Sequence, residues 1–459
     1  MSTLIGKEYP FHESNAVVLD MGSGSCKAGY SGAANPSSIV DSVVGYTLKK
    51  SLTTGEPKQE TWIGRAARMK SNLMLVEFLK DGAIADWEAI ENLWRYILYK
   101  ELEVLPEKHA VLLSDSPYSP ITQRETMAEI LFEYFNVPAM HVAHRPVLEM
   151  YSYGCTTALV VHSGSQITQA VPVHEGYILP HAIEKMDLAG LSLTTYLQKR
   201  FQKAAPHLNL IPNYIMDDVK HKCCYIALDF KKELNLYKQN DLIHYKLPDG
   251  HVLCLGKERY KCPETLFTPS VFDVPLNGIH YLVASSLKKI PSSIKEEVFK
   301  NILLSGGSTM FKGFCERFCK EVQNVVSDTF SPMIYSVPER KDLAWKSGKA
   351  AMEIRKKEFQ IEWLPYGDLW LKRNALPTET LKKLSEPLAI VDPGASEKLE
   401  EFTWIFILHI TLVLLSKANF EKKTSFHEVC FSSMISQNNT GVKTHVLHVQ
   451  ISFVSVLMT

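Results

Sequence analysis

Two stretches of the chain end an apolar run in a turn of small residues. The first reads AVVLDMGSGSCKAGYSG (16–32) and the second ALVVHSGSQITQAVPVHEG (158–176). Each pattern predicts a strand, a tight turn and a second strand, with backbone N–H groups exposed at the tip. Such a tip binds phosphate because no side chain blocks the anion. The first copy has a carboxylate, Asp20, where it would organise a hydrated Mg²⁺, whereas the second has His162 there. The pair predicts a site that binds a nucleotide and is poorly equipped to hydrolyse it.

A third glycine turn lies near residue 306. The segment ILLSGGSTMFKGF (302–314) predicts a strand, a turn and a helix. Gly306 and Gly307 would let the backbone pass flat against a planar ligand or a phosphate. This signal is weak alone and gains weight from the two phosphate-type hairpins before it.

Strands and helices alternate around these turns. Residues 109–117 read as a buried strand, and residues 16–64 as β-rich, with a polar exposed loop between Gly45 and Trp62. Amphipathic spacing predicts three further helices, the first of them capped by Asp86; they span 87–103, 121–136 and 191–203. The alternation, with its repeated hairpin, predicts an α/β protein with two related halves.

Composition excludes several classes of function. The 459 residues suffice for two or three domains, and 50 Lys+Arg balance 50 Asp+Glu, which argues against nucleic acid or an anionic membrane as a partner. The start, MSTLIGKEYPFHESN, has no apolar core of signal-peptide length. Nine cysteines without CxxC spacing fit thiols in a reducing compartment better than disulfides or a zinc site. We expect a cytosolic or nuclear protein.

The end of the chain differs from the rest. After Trp363 the sequence predicts a short helix, a Pro/Gly linker and then the apolar run FTWIFILHITLVLL (402–415). This run is shorter than the about 20 residues of a membrane span, so no span is expected. We expect a partly disordered tail, and no function follows from it.

Several strings resemble actin, in order and at nearly actin spacing. Beside the first hairpin they are PEKHAVLLSDSP, FNVPAMHVA, EGYILPHAIEKMDLAG, CCYIALDF, LPDGHVLCLGKERYKCPE, LLSGGSTM and VPERKDLAW. The similarity runs from Val17 to Trp363, and sugar kinases or heat-shock chaperones would share only the glycine turns. The chain therefore resembles a divergent actin-related or actin-like protein.

The resemblance implies an actin-like α/β fold, a duplicated ribonuclease-H-like two-lobed clamp, with ATP or ADP and Mg²⁺ in its cleft. The actin-like domain would span 1–365, followed by a divergent tail, 366–459. Its four subdomains would be, in order, 1–41 with 78–152 and 343–365; 42–77; 153–188 with 275–342; and 189–274.

The resemblance also assigns the nucleotide site. Asp20 would stand behind the hydrated metal, and Lys27 and Ser23 would meet the phosphates. The positions expected to bind nucleotide are Asp20, Gly22, Ser23, Gly24, Lys27, Ser163, Gly164, Lys220, Gly306, Gly307, Met310, Phe311 and Lys341. His221 and Phe311 replace a glutamate and a tyrosine of actin.

The hydrolytic positions depart from actin. Arg145 replaces the glutamine that positions the attacking water, and arginine cannot accept a hydrogen bond. His162 replaces an aspartate, and in the second loop Ser165 replaces an acidic residue and Gln166 a glycine. We therefore expect no catalytic residue. Three alternatives stay open: nucleotide bound without turnover, an empty cleft, and residual ATPase. In a variant of the first, Arg145 and His162 replace Mg²⁺ and clamp the phosphates directly.

The leading hypothesis is a non-hydrolysing structural protein that assembles with other proteins in the cytoplasm and cytoskeleton. Divergent actin-like proteins of this kind are typical of male germ cells, where they join the cytoskeletal shell around the sperm nucleus. One alternative is a nuclear chromatin-remodelling subunit, against which the small residues Ala350 and Ala351 of the partner-binding groove count. The other is an ATP-hydrolysing, filament-forming actin, which Arg145, His162 and the polar loop oppose.

Overall fold

The computed structural model describes residues 16–50, 57–80, 82–204, 211–236, 242–272, 274–326, 332–347 and 364–365. All of them lie in one compact unit, Met1–Pro387. The tail after Pro365, with its apolar run, and Ala350 and Ala351 lie outside the described residues.

The strands are given first, in chain order. Those of the first half are β1 (Val17–Met21), β2 (Ser25–Tyr30), β3 (Ser38–Asp41), β4 (Val44–Lys50), β5 (Pro57–Ile63), β6 (Met74–Val76), β7 (Leu79–Lys80), β8 (Ala83–Ile84), β9 (Val111–Asp115) and β10 (Ala139–His144). Those that follow are β11 (Ala158–Ser163), β12 (Thr168–His174), β13 (Tyr177–Ile178), β14 (Glu184–Met186), β15 (Ile243–Lys246), β16 (Val252–Leu255), β17 (Ile302–Ser305), β18 (Ile334–Tyr335) and β19 (Leu364–Pro365).

The helices are numbered in the same way. They are α1 (Arg65–Met69), α2 (Trp87–Tyr96), α3 (Ile121–Glu129), α4 (Arg145–Tyr151), α5 (Gly190–Ala204), α6 (Asn213–Cys223), α7 (Phe230–Leu236), α8 (Glu258–Glu264), α9 (Ile279–Lys289), α10 (Ser292–Phe299) and α11 (Phe314–Val325). Short 3₁₀ turns span Pro106–Lys108, Pro180–Ala182, Pro269–Phe272 and Gly307–Met310.

Two sheets share one plan. The first has the order β19-β10-β9-β1-β2-β3, with β1, β9 and β10 parallel and β2 antiparallel to β1. The second has the order β13-β12-β11-β17-β18, with β11, β17 and β18 parallel, β12 antiparallel to β11, and β14 added beside β12. Each sheet therefore joins a hairpin to two parallel strands, which is the duplicated two-lobed α/β architecture expected from the sequence.

Each lobe has its own core, and a third cluster joins them. One cluster packs the first sheet against α2 and α3, with Trp94 and Phe132 among its fully buried side chains. Another packs the second sheet against α5, α6, α9 and α11. The third contains Val18 of β1 and Val160 of β11, together with Leu148 and Trp345. Because these apolar contacts pack the two hairpins against each other, their tips lie on either side of one cleft.

The predicted helices are confirmed with shifted ends. Asp86 caps α2, as expected, by accepting a hydrogen bond from Ala89 N at 2.9 Å. The segments predicted as 87–103 and 121–136 each begin as an α-helix and continue as a π-helical turn, Ile97–Glu101 and Ile130–Tyr134. Helical periodicity does not distinguish the two forms over a single turn.

The prediction of a loop between Gly45 and Trp62 is wrong at both ends of that segment. Strands β4 and β5 pair antiparallel there, from Val44 opposite Ile63 to Lys50 opposite Pro57, while residues 51–56 lie outside the described part. Val44 and Tyr46 of β4 are buried in the core of the first lobe, so the strand pattern was present at its start and was outweighed by the polar residues that follow. Among the described helices, none is long and apolar enough to cross a membrane.

Candidate functional site

The two hairpin tips face each other across a narrow cleft. Asp20 pairs with Lys27 in the first hairpin, and His162 pairs with Gln169 at the corresponding place in the second. A Cβ added at Gly24 would lie 3.0 Å from Ser165 Cβ, so the tips already touch. The cavity beneath them holds about 50 Å³ and is lined by Ser23, Arg145 and His162, among others. That is far below the roughly 300 Å³ at which ligand pockets begin.

Asp20 is buried and fully engaged by protein groups. Its Oδ1 accepts hydrogen bonds from Ser114 Oγ at 2.7 Å and from Arg145 Nε at 3.0 Å, and its Oδ2 lies 3.4 Å from Lys27 Nζ. Burial alone would raise the pKa of Asp20, but the charges of Arg145 and Lys27 and the Ser114 hydrogen bond outweigh it and hold the pKa well below its ordinary value. Asp20 is therefore an ion-pair partner with no oxygen left unpaired.

Arg145 is placed against Asp20 by the start of α4. It is the first residue of that helix, directly after β10, which runs parallel to β9. Its Nη2 also donates to Met21 O and to Ser114 Oγ. Burial would lower the pKa of Arg145, but the negative charges of Asp20 and Glu149 raise it. The guanidinium thus stays charged and ties α4 to the end of β1.

His162 is held by a buried carboxylate. Its Nδ1 lies 2.7 Å from Glu149 Oε1, and because the carboxylate accepts, Nδ1–H donates. The imidazole Nε2 lies against Gly164, where an added Cβ would approach within 2.8 Å of it. Glu149 Oε2 is buried and has no hydrogen-bond partner among the described residues. The ring therefore fills the inner side of the second tip.

The side chain of Gln166 adds to this filling. It lines the cleft, and its Oε1 is buried without a hydrogen-bond partner in the described part of the chain. The second tip thus presents a side chain and an unpaired acceptor where the first presents glycines.

Lys27 connects the first hairpin to the turn at residue 341. Its Nζ donates to Lys341 O at 2.9 Å and lies 3.6 Å from Asp342 Oδ1. The Lys341 side chain itself is exposed. In the first turn, Ser42 Oγ donates to Gly22 O at 2.5 Å, which fixes the loop that holds Ser23. Lys27 and the tip are thus pre-positioned at one end of the cleft.

Lys220 has all three of its N–H donors occupied by protein. Its Nζ donates to Gly190 O at 2.8 Å, to Thr194 Oγ1 at 2.8 Å and to Asp217 Oδ1 at 2.5 Å. Burial would raise the pKa of Asp217, but Lys220 and the neighbouring His221 lower it. Burial also lowers the pKa of His221. Lys220 thus links α5 to α6 through buried hydrogen bonds.

The third glycine turn meets the second hairpin closely. Gly306 has φ +92°, and a Cβ there would lie 2.2 Å from Ser163 O. Gly307 is open, with Lys341 Cγ at 3.9 Å as the nearest neighbour of an added Cβ. Met310 is exposed, whereas Phe311 is buried in the core of the second lobe. The Ser163 hydroxyl pairs with Thr168 Oγ1 at 2.8 Å, and Gly164 O accepts from Ser308 Oγ at 2.7 Å.

A magnesium ion of the expected kind does not fit these residues. The carboxylate that would orient its waters, Asp20, is paired with two cations, and the second carboxylate position is His162. Two positive side chains at the site repel a divalent cation. Across the described residues, no group of three or more His, Cys, Asp and Glu side chains could hold a metal ion.

Sequence reasoning missed three members of this site. Ser114 donates to Asp20, Glu149 holds His162, and Asp342 lies beside Lys27. Glu149 had a signal in the sequence, since it is a charge four residues after Arg145 within the otherwise apolar helix RPVLEMY. Ser114 had none, because nothing in the strand sequence VLLSD shows which buried group its hydroxyl would reach.

The duplicated sheets and the paired hairpins around one cleft define a two-lobed clamp of the ribonuclease-H-like class. The actin family model matches residues 11–217 and 212–350. Actin-like protein 7A of Rattus norvegicus is 38% identical over 366 residues, 79% of this chain and 82% of that protein. Actin-like protein 7B of Mus musculus is 39% identical over 352 residues, 76% of this chain and 84% of that protein. The chain belongs to the actin family, as one of its divergent actin-like members.

Proposed function

We propose that this protein is a non-hydrolysing actin-like protein that binds adenine nucleotide weakly or as a structural element, and acts by assembling with other proteins. One observation supports this most strongly: Arg145 Nε lies 3.0 Å from Asp20 Oδ1, within the cleft. The guanidinium stands where the resemblance to actin places the residue that positions the attacking water.

Hydrolysis needs a water held for in-line attack and stabilisation of the charge that develops on the phosphate. Arg145 has only donors, so it cannot accept a hydrogen bond from that water. The Nδ1–H of His162 is committed to Glu149. Losing one such positioning group costs roughly 10²–10⁴ in rate, and here three or four differ together. Turnover should fall below detection.

Nucleotide binding has support of its own. Lys27 is held at the first tip, and the backbone at Gly307 is open beside Lys341. Small residues at Gly22, Ser23 and Gly24 keep N–H groups of the first tip accessible to an anion. A bound phosphate chain would require the touching tips at Gly24 and Ser165 to separate.

A second candidate function is favoured by that same contact. With the tips touching and all three donors of Lys220 occupied, the cleft would be a closed scaffold that binds no nucleotide. The protein would then act only through its surfaces.

The assembly role rests on membership of the actin family. We propose a cytoplasmic, cytoskeletal setting in male germ cells, by analogy with divergent actin-like proteins, with a nuclear remodelling complex as the alternative. Affinity capture from germ-cell cytoskeletal and nuclear extracts discriminates the two: recovery with cytoskeletal proteins supports the first setting, and recovery with remodelling subunits contradicts it.

Nucleotide content and phosphate release test the proposal on purified full-length protein. We expect ATP or ADP to co-purify, or to bind after gel filtration, without phosphate release above background. Absence of binding in the presence and absence of Mg²⁺ would instead establish the closed scaffold. Rapid turnover would contradict both.

A further inference from the structure

A pair of cysteines lies at the start of α11, away from the cleft. Cys315 is the second residue of this twelve-residue helix, and Cys319 follows one turn later on the same face. Both side chains are partly exposed free thiols. Ser336, directly after β18, donates its hydroxyl hydrogen to Cys315 Sγ at 3.3 Å. Cys315 Sγ therefore accepts a hydrogen bond from a residue outside its own helix.

The surroundings of Cys315 favour a negative charge. Its sulfur lies near the N-terminal end of α11, where unpaired N–H groups and the helix dipole stabilise anions. The charge of Arg340 acts in the same direction from the chain segment after β18, and Glu316 of α11 opposes it. Tyr153, between α4 and β11, also faces this sulfur. The Ser336 hydrogen bond and the charge of Arg340 thus outweigh the charge of Glu316.

The thiol chemistry follows from these contacts. The hydrogen bond from Cys319 is the main cause that lowers the pKa of Cys315 to about 6; burial opposes it and Ser336 adds to it. Other thiols differ, because burial raises the pKa of Cys155 to about 11 and also raises that of Cys223. The surroundings of Cys315 therefore favour its anionic form, whereas burial disfavours that form at Cys155.

We propose that Cys315 is a redox modification site, a thiolate poised for oxidation by hydrogen peroxide. The thiolate attacks one peroxide oxygen, an S–O bond forms as the O–O bond breaks, and hydroxide leaves and takes up a proton as water. The sulfur loses two electrons to the peroxide and becomes a sulfenic acid. The thiolate form and partial exposure are the two conditions that this reaction needs.

Oxidation at this place would reach the third glycine turn. Ser336 begins the segment that leads to Arg340, which donates to Thr309 O at 2.7 Å and whose carbonyl accepts from Gly306 N at 3.0 Å. Val337 N also donates to Tyr153 OH at 3.3 Å. A sulfenic acid at Cys315 is no longer an anion, so its sulfur accepts the hydrogen bond from the Ser336 hydroxyl less strongly. The segment from Ser336 to Lys341 would therefore loosen.

Selective labelling tests the proposal on the full-length protein. Limiting iodoacetamide, applied from pH 5 to 9 and read by peptide mass spectrometry, should modify Cys315 at pH 7 at least about tenfold faster than the partly exposed Cys155. The labelling midpoint should lie near pH 6, and Cys319→Ala should raise it. After brief peroxide treatment, a dimedone probe should label Cys315 first.

Equal labelling of Cys315 and Cys155, or a dimedone adduct found first on another cysteine, would overturn the proposal. Ser336→Ala supplies a second variant, on a different element, in case Cys319→Ala does not fold. It too should raise the labelling midpoint, and an unchanged midpoint in both variants would show that the proposed donors do not stabilise the thiolate.

Discussion

Arg145 and Asp20 form a buried ion pair, 3.0 Å between Nε and Oδ1, that joins the start of α4 to the end of β1. Asp20 is buried and Arg145 is mostly so, with 4% and 15% of their side chains exposed, and Ser114 satisfies a further lone pair of the carboxylate. Such a pair adds little to the free energy of unfolding compared with apolar residues of equal volume. The loss of one partner, however, leaves an uncompensated buried charge. The pair therefore fixes the chemistry of the cleft more than its stability.

The first prediction concerns the loss of one partner of the Arg145–Asp20 ion pair. Arg145→Leu should lower the free energy of unfolding by about 3–5 kcal/mol, because Asp20 stays buried with its main counter-charge removed. Arg145→Leu combined with Asp20→Leu should recover much of the loss. Arg95→Leu, which removes an exposed partner of Glu91, is the matched control and should cost less than about 1 kcal/mol. Chemical denaturation measures all three, and a loss no larger at Arg145 than at Arg95 would contradict the buried pair.

The second prediction is a dependence on pH. Because the folded-state pKa of Asp20 is depressed, its stabilising contribution is present above the unfolded value of about 3.9 and is lost as pH falls towards the folded value. In Arg145→Leu, burial dominates and raises that pKa, so acid destabilisation should begin at higher pH. Unfolding free energies of both proteins between pH 3 and 7 check this. Parallel curves would show that Arg145 does not control Asp20.

The third prediction separates a structural lysine from a ligand-binding one. Lys220→Met should cost about 3 kcal/mol of unfolding free energy, because Gly190 O, Thr194 and Asp217 lose a buried charged donor. Lys222→Met, on the same helix with an exposed partner at 2.7 Å, should cost below about 1 kcal/mol. Thermal or chemical unfolding measures both variants. Equal losses of unfolding free energy in Lys220→Met and Lys222→Met would contradict a structural role for Lys220.

The fourth prediction concerns the third glycine turn. Gly306→Ala should destabilise the protein by several kcal/mol or prevent folding, because its Cβ would overlap Ser163 O at 2.2 Å. Gly250 has nearly the same φ, +93°, with nothing within 4 Å of an added Cβ. Gly250→Ala therefore isolates the conformational cost, about 1–2 kcal/mol. Similar losses in soluble yield and melting temperature would mean that the close approach at Gly306 is unimportant.

The fold was predictable from local patterns and their order. The small-residue turns at 22–24 and 163–165 follow apolar strands and precede further strands, and that pattern is independent of long-range packing. The hairpin of β4 and β5 was not predictable in the same way. Its apolar alternation is confined to Val44, Tyr46 and Leu48 of β4, and the residues that follow are mostly polar, so the sequence did not separate the paired strands from the loop between them.

The site was predictable in its members and less so in its contacts. Arg145 and His162 were identifiable as departures from actin at positions given by the resemblance. That Arg145 pairs with Asp20, and that Glu149 holds His162, are contacts between residues 125 and 13 positions apart. Such pairings depend on how the strands are ordered in space. The partners of Lys220 are of the same kind, since Gly190 and Thr194 lie on another helix.

We propose that the cleft does not hydrolyse nucleotide, because Arg145, His162, Ser165 and Gln166 stand where the resemblance to actin places the groups that position water and phosphate. Phosphate release measures this most directly, from the unmodified protein and from a variant with Arg145→Gln, His162→Asp, Ser165→Asp and Gln166→Gly, each supplied with ATP and Mg²⁺. We expect no release above background from the unmodified protein and measurable release from the variant. Brisk turnover by the unmodified protein would contradict it.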